Sequence, residues 1–433
     1  MAGAAALTLT LAACGGDGDD NDDASAGDDE TETSETFTND QCAGNTTSAD
    51  TFKVAGILPL TGNLAFLGPP EISGVGLAVS DLNKAGGVGG KKACHNTLDS
   101  GDATDASVAT GSAQTAIAGK ASVVIGAASS SVTQNIVDAI TDAKIVEISP
   151  ANTAVALSGY DPFYFRTAPP DGIQGNALGT LIASDGHQRV AFLVFNDTYG
   201  TGLRDVIQKT VEGAGGEVVY GGKGSGDEFP PGQTSFSAEV SGALAQNPDA
   251  IVVLAFDETK AIVPELQAQG WDMSKIYMTD GNTSSWGDQF EAGTLKDAQG
   301  TIPGNDPEAS FKERLNGWYQ SAEGTELKDY SYGAESYDAV MLAALAAVKG
   351  GATDGATIQK NLAAVSGATD GEECTSYEDC VALIEDGKEI RYSGPSGIGP
   401  IDKENDPSSA FVSIFKYNNE NNLELSTTVE GAK

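Results

Sequence analysis

The sequence is short of positive charge. Of its 433 residues only 24 are Lys or Arg, against 62 Asp or Glu, which leaves a formal net charge of -38. A chain of that sign repels phosphate backbones and anionic lipid, so nucleic acid is excluded as a partner. Histidine is almost missing as well: His95 and His187 are too few for a His-rich zinc site or a relay of imidazoles. No GxSxG, GxxxxGKS/T or GxGxxG occurs, so the nucleophile elbow, the P-loop and the dinucleotide fingerprint are all lacking. These gaps argue against an enzyme, and no cofactor or metal is expected. What the chain does have is apolar residues, 40% of the total, enough for large cores in a length with room for two or three domains.

Residues 1–13 form an apolar run of Ala, Leu and Thr, too short to span a bilayer but of signal-peptide length. It carries no Lys or Arg and ends in Leu11-Ala12-Ala13-Cys14-Gly15. That ending resembles a bacterial lipobox, in which the Cys sulfur is lipidated and becomes the new N-terminus. The resemblance implies a mature chain anchored outside the cell membrane through Cys14. Residues 14–50 read as a flexible acidic tether: the first 50 residues hold 12 acids and no base, and such a segment cannot bury enough apolar surface to offset its ordering entropy. The remaining 50 acids against 24 bases still leave -26 for the folded part, which implies a solvated acidic surface. Besides Cys14 there are Cys42, Cys94, Cys374 and Cys380, an even number with three possible pairings in an exported protein. Cys374 and Cys380 enclose a short turn and pair most easily with each other, which leaves Cys42 for Cys94.

Beyond residue 50, short β-branched runs alternate with Ala-rich stretches of helix length. The runs 52–58, 122–125, 145–148, 190–195, 217–220, 250–254 and 275–278 read as buried parallel strands. Between them, 72–83, 103–118, 132–143, 202–212, 236–245 and 260–269 read as helices. This order predicts a doubly wound α/β architecture, whose ligands bind outside the carboxyl ends of the strands. The loops there, at 58–62, 126–131 and 149–153, are small and rich in hydroxyls. Ser130 and Thr153 in them either cap helices or, with free backbone N–H groups, hold an anion such as a carboxylate.

Seven motifs follow one another in a familiar order: GILPLTG (56–62), KAGGVGG (84–90), IGAASSS (125–131), ISPANT (148–153), FRTAPPD (165–171), NDTYGTGL (196–203) and YDAVMLAALAAV (337–348). Together they resemble the leucine/isoleucine/valine-binding type of solute-binding proteins of ABC importers, over roughly residues 51 to 417. The resemblance implies the periplasmic binding protein type I fold: two Rossmann-like lobes joined by three crossovers, with a ligand cleft between them. The first lobe would be 51–170 plus 301–406, and the second 171–300 plus 407–433. FRTAPPD would be the first crossover, with Arg166 in a structural ion pair.

Carried over residue by residue, the family's carboxylate cradle falls on Ser130, Thr153 and the backbone of Ala151. Its pocket aromatic near the first strand falls at Leu67, beside Phe66. Tyr199 of NDTYGTGL would close the pocket from the second lobe, and Phe256 stands where a Tyr is usual. At the acidic ammonium partner the chain departs from the pattern: a gapless alignment puts Gly281 there, with Asp280 one residue early. The implied function is an extracytoplasmic, monomeric, lipid-anchored protein that captures a branched-chain or related amino acid for an ABC permease. The alternative solutes are short amides, urea or another small carboxylate. A ligand-sensing domain and an enzyme are the remaining readings from other classes.

Overall fold

Apolar runs without polar alternation belong in sheets covered on both faces, and the computed structural model, which describes residues 35–43 and 51–432, puts them there. Strands β1 (Thr51–Leu58), β2 (Lys92–Asp99), β3 (Val123–Gly126), β4 (Val146–Ser149) and β5 (Tyr164–Arg166) form an all-parallel sheet in the order β2-β1-β3-β4-β5. Helices α1 (Gly68–Lys84), α2 (Ala106–Ala118) and α3 (Ser130–Asp142) connect its strands. After α4 (Asp171–Ser184) a second sheet begins, with β6 (Arg189–Val194), α5 (Thr198–Gly213), β7 (Glu217–Tyr220), α6 (Ser237–Ala245), β8 (Ala250–Leu254), α7 (Thr259–Ala268), β9 (Ile276–Met278) and β10 (Gln299–Pro303).

The chain then returns to the first lobe. Helices α8 (Ala309–Glu323) and α9 (Gly333–Gly350) pack on α1, followed by α10 (Gly355–Ala363). A small parallel pair, β11 (Glu372–Cys374) and β12 (Ile390–Tyr392), brackets α11 (Tyr377–Glu385). A last passage brings the antiparallel hairpin of β13 (Ser409–Tyr417) and β14 (Leu423–Ala432) onto β10, completing the order β14-β13-β10-β9-β8-β6-β7. The two lobes are thus linked by three strands of chain, and the second sheet runs to Pro303 rather than ending at 300.

Arg166 ties two of these passages together. Its side chain is completely buried; Nε donates to Asp406 Oδ1 at 2.7 Å, while the guanidinium also donates to Ala154 O at 2.9 Å and Ser158 Oγ at 2.7 Å. A buried charge keeps its place only when paired and hydrogen-bonded in this way. Helix α9 is apolar almost all round because it is enclosed by α1, the first sheet, α10 and α11. Among the described residues no helix is long and apolar enough to cross a membrane. Close approach of α1 to its neighbours depends on small residues: a Cβ on Gly74 would overlap the carbonyl of Gly333, and one on Gly76 the ring of Trp318.

The polar strand β2, KACHNTLD, is not among the strands expected from composition. It lies at the sheet edge, where one side of the ladder needs no apolar cover. Residues 37–42, which composition assigns to the tether, pack on this lobe. His95 N donates to Asp40 O at 3.0 Å, Cys42 N to His95 O at 2.9 Å, and Trp318 Nε1 to Thr38 O at 3.1 Å. Disulfides join Cys42 to Cys94 and Cys374 to Cys380. Cys14 lies outside the described residues.

The two bridges close loops of very different length, with sequence separations of 52 and 6. In the chain-entropy model the first is worth about 4 kcal/mol and the second about 2. Denaturant unfolding of Cys42→Ser and Cys374→Ser variants should therefore show the larger loss at Cys42; equal losses would show that the order is not set by loop closure.

Candidate ligand cleft

The carboxyl ends of both sheets face one another, and the loops that follow their strands build the site. In the first lobe the floor is stiff. Ser149 Oγ donates to Ala127 O at 2.6 Å, Asn152 Nδ2 donates to Ala127 O and Ala128 O at 2.8 Å each, and Tyr164 OH donates to Asn152 Oδ1 at 2.5 Å. Ser130 begins α3 behind the N-cap Ser129, and its Oγ accepts from Ala154 N at 3.4 Å. Thr153 is buried with its hydroxyl unpartnered. Ala151 is buried beside it.

From the second lobe, Tyr199 enters on the first turn of α5, where Asp197 caps the helix by accepting from Tyr199 N at 2.9 Å. Its ring stacks on Phe256 with centroids 5.6 Å apart, and Phe256 meets Phe195 edge-on at 4.7 Å. Leu67 and Ala151 of the first lobe share one buried apolar cluster with Tyr199, Phe256 and Trp286 of the second. The lobes are therefore closed on each other, and further contacts cross between them: Thr198 Oγ1 donates to Gln134 Oε1 at 3.0 Å, and Asn63 Nδ2 to Glu258 Oε1 at 3.5 Å.

Asp280, at the end of β9, is buried and held at both oxygens. Tyr199 OH donates to Oδ1 at 2.6 Å, and Tyr332 OH donates to Oδ2 at 2.6 Å. Burial raises the Asp280 carboxyl above its ordinary range, and the two phenols and Gln174 work against that rise. Tyr332 comes from the first lobe, as the left-handed residue (φ 60°) just before α9. Its bond to Asp280 thus spans the cleft.

Asp171, the first residue of α4, completes the group. Its backbone N donates to Thr153 O at 2.7 Å. The carboxyl is wholly buried; Thr153 lends it some support, but neither oxygen has a partner of regular geometry. Burial first, and the neighbouring Asp280 second, push it well above the usual carboxylate range. The structure so connects Thr153, Asp171, Asp280 and Tyr199 in one buried polar patch, with Leu67, Ala151 and Phe256 as apolar walls and Ser130 at the helix start behind Thr153. Two members were missed by sequence reasoning. Asp171 had been counted as part of the crossover FRTAPPD, although a lone acid opening a helix after Pro-Pro was its signal. Tyr332 lies in a return segment with no periodicity to mark it. Among the described residues no cluster of His, Cys, Asp and Glu suits a metal ion.

A cleft of this form between two parallel-sheet lobes defines a class of ligand-enclosing binding proteins. The chain belongs to the periplasmic binding protein family, whose model matches residues 51–375; it is a family of binding proteins, not enzymes. It is similar to the leucine-, isoleucine-, valine-, threonine- and alanine-binding protein of Pseudomonas aeruginosa, at 35% identity over 42% of this chain and 49% of that one. The match therefore spans about half the length of that relative. At 26% identity it is similar to the chemotactic signal transduction system substrate-binding protein BasB of Halobacterium salinarum, over 79% of this chain and 82% of that one. Among solved structures, a leucine-binding protein from Thermotoga maritima superposes with a TM-score of 0.70, at 22% identity, covering 87% of this chain and 98% of that one. An R. palustris solute-binding protein in complex with 4-hydroxybenzoate also reaches 0.70, at 16% identity, covering 89% and 98%. The fold is shared across these ligands and does not choose between them.

Removing only the Tyr332 hydroxyl tests whether it holds the lobes together. A hydrogen bond to a charged acceptor contributes about 1.5–3 kcal/mol, so Tyr332→Phe should raise the open fraction seen by small-angle scattering. An unchanged scattering profile would show that the bond does not stabilise closure.

Proposed function

We propose that the protein is an extracytoplasmic solute-binding protein that closes around an aliphatic α-amino acid and delivers it to an ABC permease. The observation that carries this reading is Asp171: a completely buried carboxyl with no partner of regular geometry and no ion pair, beside a second buried acid, in a closed cleft with apolar walls. Desolvating a carboxylate without a cation is expensive, and an ammonium entering between Asp171 and Asp280 supplies the missing charge. Ser130, Thr153 and the backbone of Ala151 offer hydroxyl and N–H groups for the carboxylate end, while Leu67, Tyr199 and Phe256 suit a hydrocarbon side chain. A neutral amide or an anionic acid would leave both carboxyls uncompensated. Membership of the family and the amino-acid ligands in the Pseudomonas relative's name support the same solute class. Lipidation of Cys14 would keep the protein beside its permease. Delivery to a chemotaxis receptor instead is a second reading, favoured by the likeness to BasB over most of both chains. Crosslinking in membranes separates the two by the partner captured.

Calorimetry with leucine, isoleucine, valine and 4-hydroxybenzoate tests the solute class, and binding of the aromatic acid alone would overturn it. Asp171→Asn should cost about 2–5 kcal/mol of amino-acid affinity, the range for truncating one partner of a buried charge pair. The pH dependence has a definite sign. Asp171 is raised in the empty closed cleft and lowered by a bound ammonium, so binding releases a proton and affinity rises with pH between those two values. Titration in two buffers of different ionisation enthalpy reads that release directly; proton uptake would contradict the assignment.

A further inference from the structure

On the hinge side of the molecule a second cavity opens, of 290 Å³, at the lower end of the volumes typical of small-molecule sites. Of the cleft residues it shares Tyr332, whereas none of Ser130, Thr153, Asp171 or Asp280 lines it, so it opens beside the cleft rather than into it. Its walls come from both lobes. Ser285, Phe415 and Leu423 belong to the second, whereas Lys312, Tyr330 and Glu335 belong to the first.

Glu335 is the group in this cavity that lacks a counterpart. It is only 3% exposed, and its carboxyl faces Gly304, where a Cβ would collide with it. Among the described residues no other residue donates a hydrogen bond to that carboxyl; only its own backbone N–H approaches it. Burial, with Asp338 adding to it, lifts Glu335 to about 8. Behind it lies Glu71, wholly buried with both oxygens unpartnered, which supplies no positive charge either. The other charged groups in the lining are accounted for. Lys312 pairs with Asp306 at 2.6 Å, and Asp329 accepts from Ser284 Oγ at 3.0 Å and Ser331 N at 2.8 Å. Lys328 stands at the exposed rim, where water screens it. With all groups ionised the lining therefore carries one more acid than base. Further along the same lining the wall is hydrocarbon, made by Phe415, Leu423 and the half-exposed Leu425.

We propose that this cavity is a second binding site, for a small solute with one ammonium group on a short hydrocarbon chain, such as a primary alkylamine. The ammonium pairs with Glu335, and the chain points along the cavity toward Phe415 and Leu425. Because both lobes line the cavity, an occupant bears on the angle between them. Tyr332 also lines it, and the Tyr332 hydroxyl binds Asp280 in the cleft. An occupant is thus coupled to closure, and by linkage a cleft ligand alters amine affinity by the same factor. The site itself does not rest on what the cleft binds.

The test titrates n-butylamine into the full chain by calorimetry, with n-butanol and butyrate as comparison probes. At about pH 9 the amine is still protonated, and Glu335, with its value of about 8, is ionised. Butylamine should bind saturably, about tenfold or more tighter than butanol as a charge-assisted contact requires, and butyrate should not bind. Glu335→Gln should remove that preference. Leu425→Lys, at an exposed position that does not threaten folding, should weaken butylamine by placing a like charge on the wall, and it decides the matter if Glu335→Gln does not fold. Asp171→Asn changes the cleft and, through closure, the absolute affinity, but in that variant butylamine should keep its preference over butanol. Equal binding of amine and alcohol, indifference to both cavity substitutions, or loss of the amine-over-alcohol preference in Asp171→Asn would each overturn the proposal; the last would move the amine into the cleft.

Discussion

Asp171 and Asp280 share a space from which closure removes water, and no Lys or Arg among the described residues forms an ion pair with either. Moving a carboxylate out of water without compensation costs several kcal/mol. The chain meets part of that cost at Asp280, whose oxygens each accept a phenol hydrogen bond, and leaves it unmet at Asp171. On the function proposed above, a cleft arranged in this way closes more readily on a ligand that brings positive charge than without one. The ligand then shifts the open–closed equilibrium by its greater affinity for the closed form. Were Asp171 paired with a protein cation, the lobes would have little reason to wait for a ligand.

The fold keeps this choice in the hands of a few groups. Each lobe has its own sheet, so moving one against the other breaks the shared apolar contacts of Leu67 and Ala151 with Tyr199 and Phe256 but leaves both sheets intact. Arg166 and Asp406 fasten two of the three connections to one another, which limits the hinge to a small set of residues. The floor under Thr153 is pinned by Asn152 and Ser149, so the first-lobe half of the cleft arrives preformed. The second-lobe half moves as a unit because Tyr199, Phe256 and Phe195 stack on each other. Tyr332 then connects that unit to the opposite lobe.

How much of this could be read in the sequence depended on whether the signal was local. Buried parallel strands such as 190–195 and 250–254 announce themselves because cover on both faces removes polar residues from the run. The loops after them followed from the rule that ligands bind at strand carboxyl ends, and that rule led to Ser130 and Thr153, whereas Tyr199 and Asp280 came from the family resemblance. Strand β2 was hidden by its edge position, which tolerates Lys92, Asn96 and Asp99. Residues 37–42 were hidden by acidic company, since their docking rests on Trp318 and Cys94, far away in the chain. Asp171 and Tyr332 were hidden for a different reason. Each acts only through a residue of the other lobe or of another segment, and the closing of two lobes leaves no periodic trace in either partner.

The same excess of acid has opposite consequences at the surface and inside. On the surface it costs little, because exposed carboxylates are hydrated and screened, and the exposed pairs such as Arg391 with Glu373 or Lys388 with Glu372 add only modestly to stability. Inside, the shortage of bases means that a buried acid is ordinarily served by hydroxyls rather than by a cation. Asp338 illustrates the solution, accepting from Tyr392 OH and from Ser396 through both N–H and Oγ. Against that pattern, a buried acid without a hydroxyl donor of regular geometry is the exception that calls for a reason. Glu147 and Glu71 lie in the first lobe's interior and are raised by burial, which favours the neutral acid and removes most of the cost. Asp171 and Glu335 differ from them in position: one lies between the lobes and the other lines an open cavity. For these two carboxyls alone in that set, a cation from solution can do what protonation does for the others.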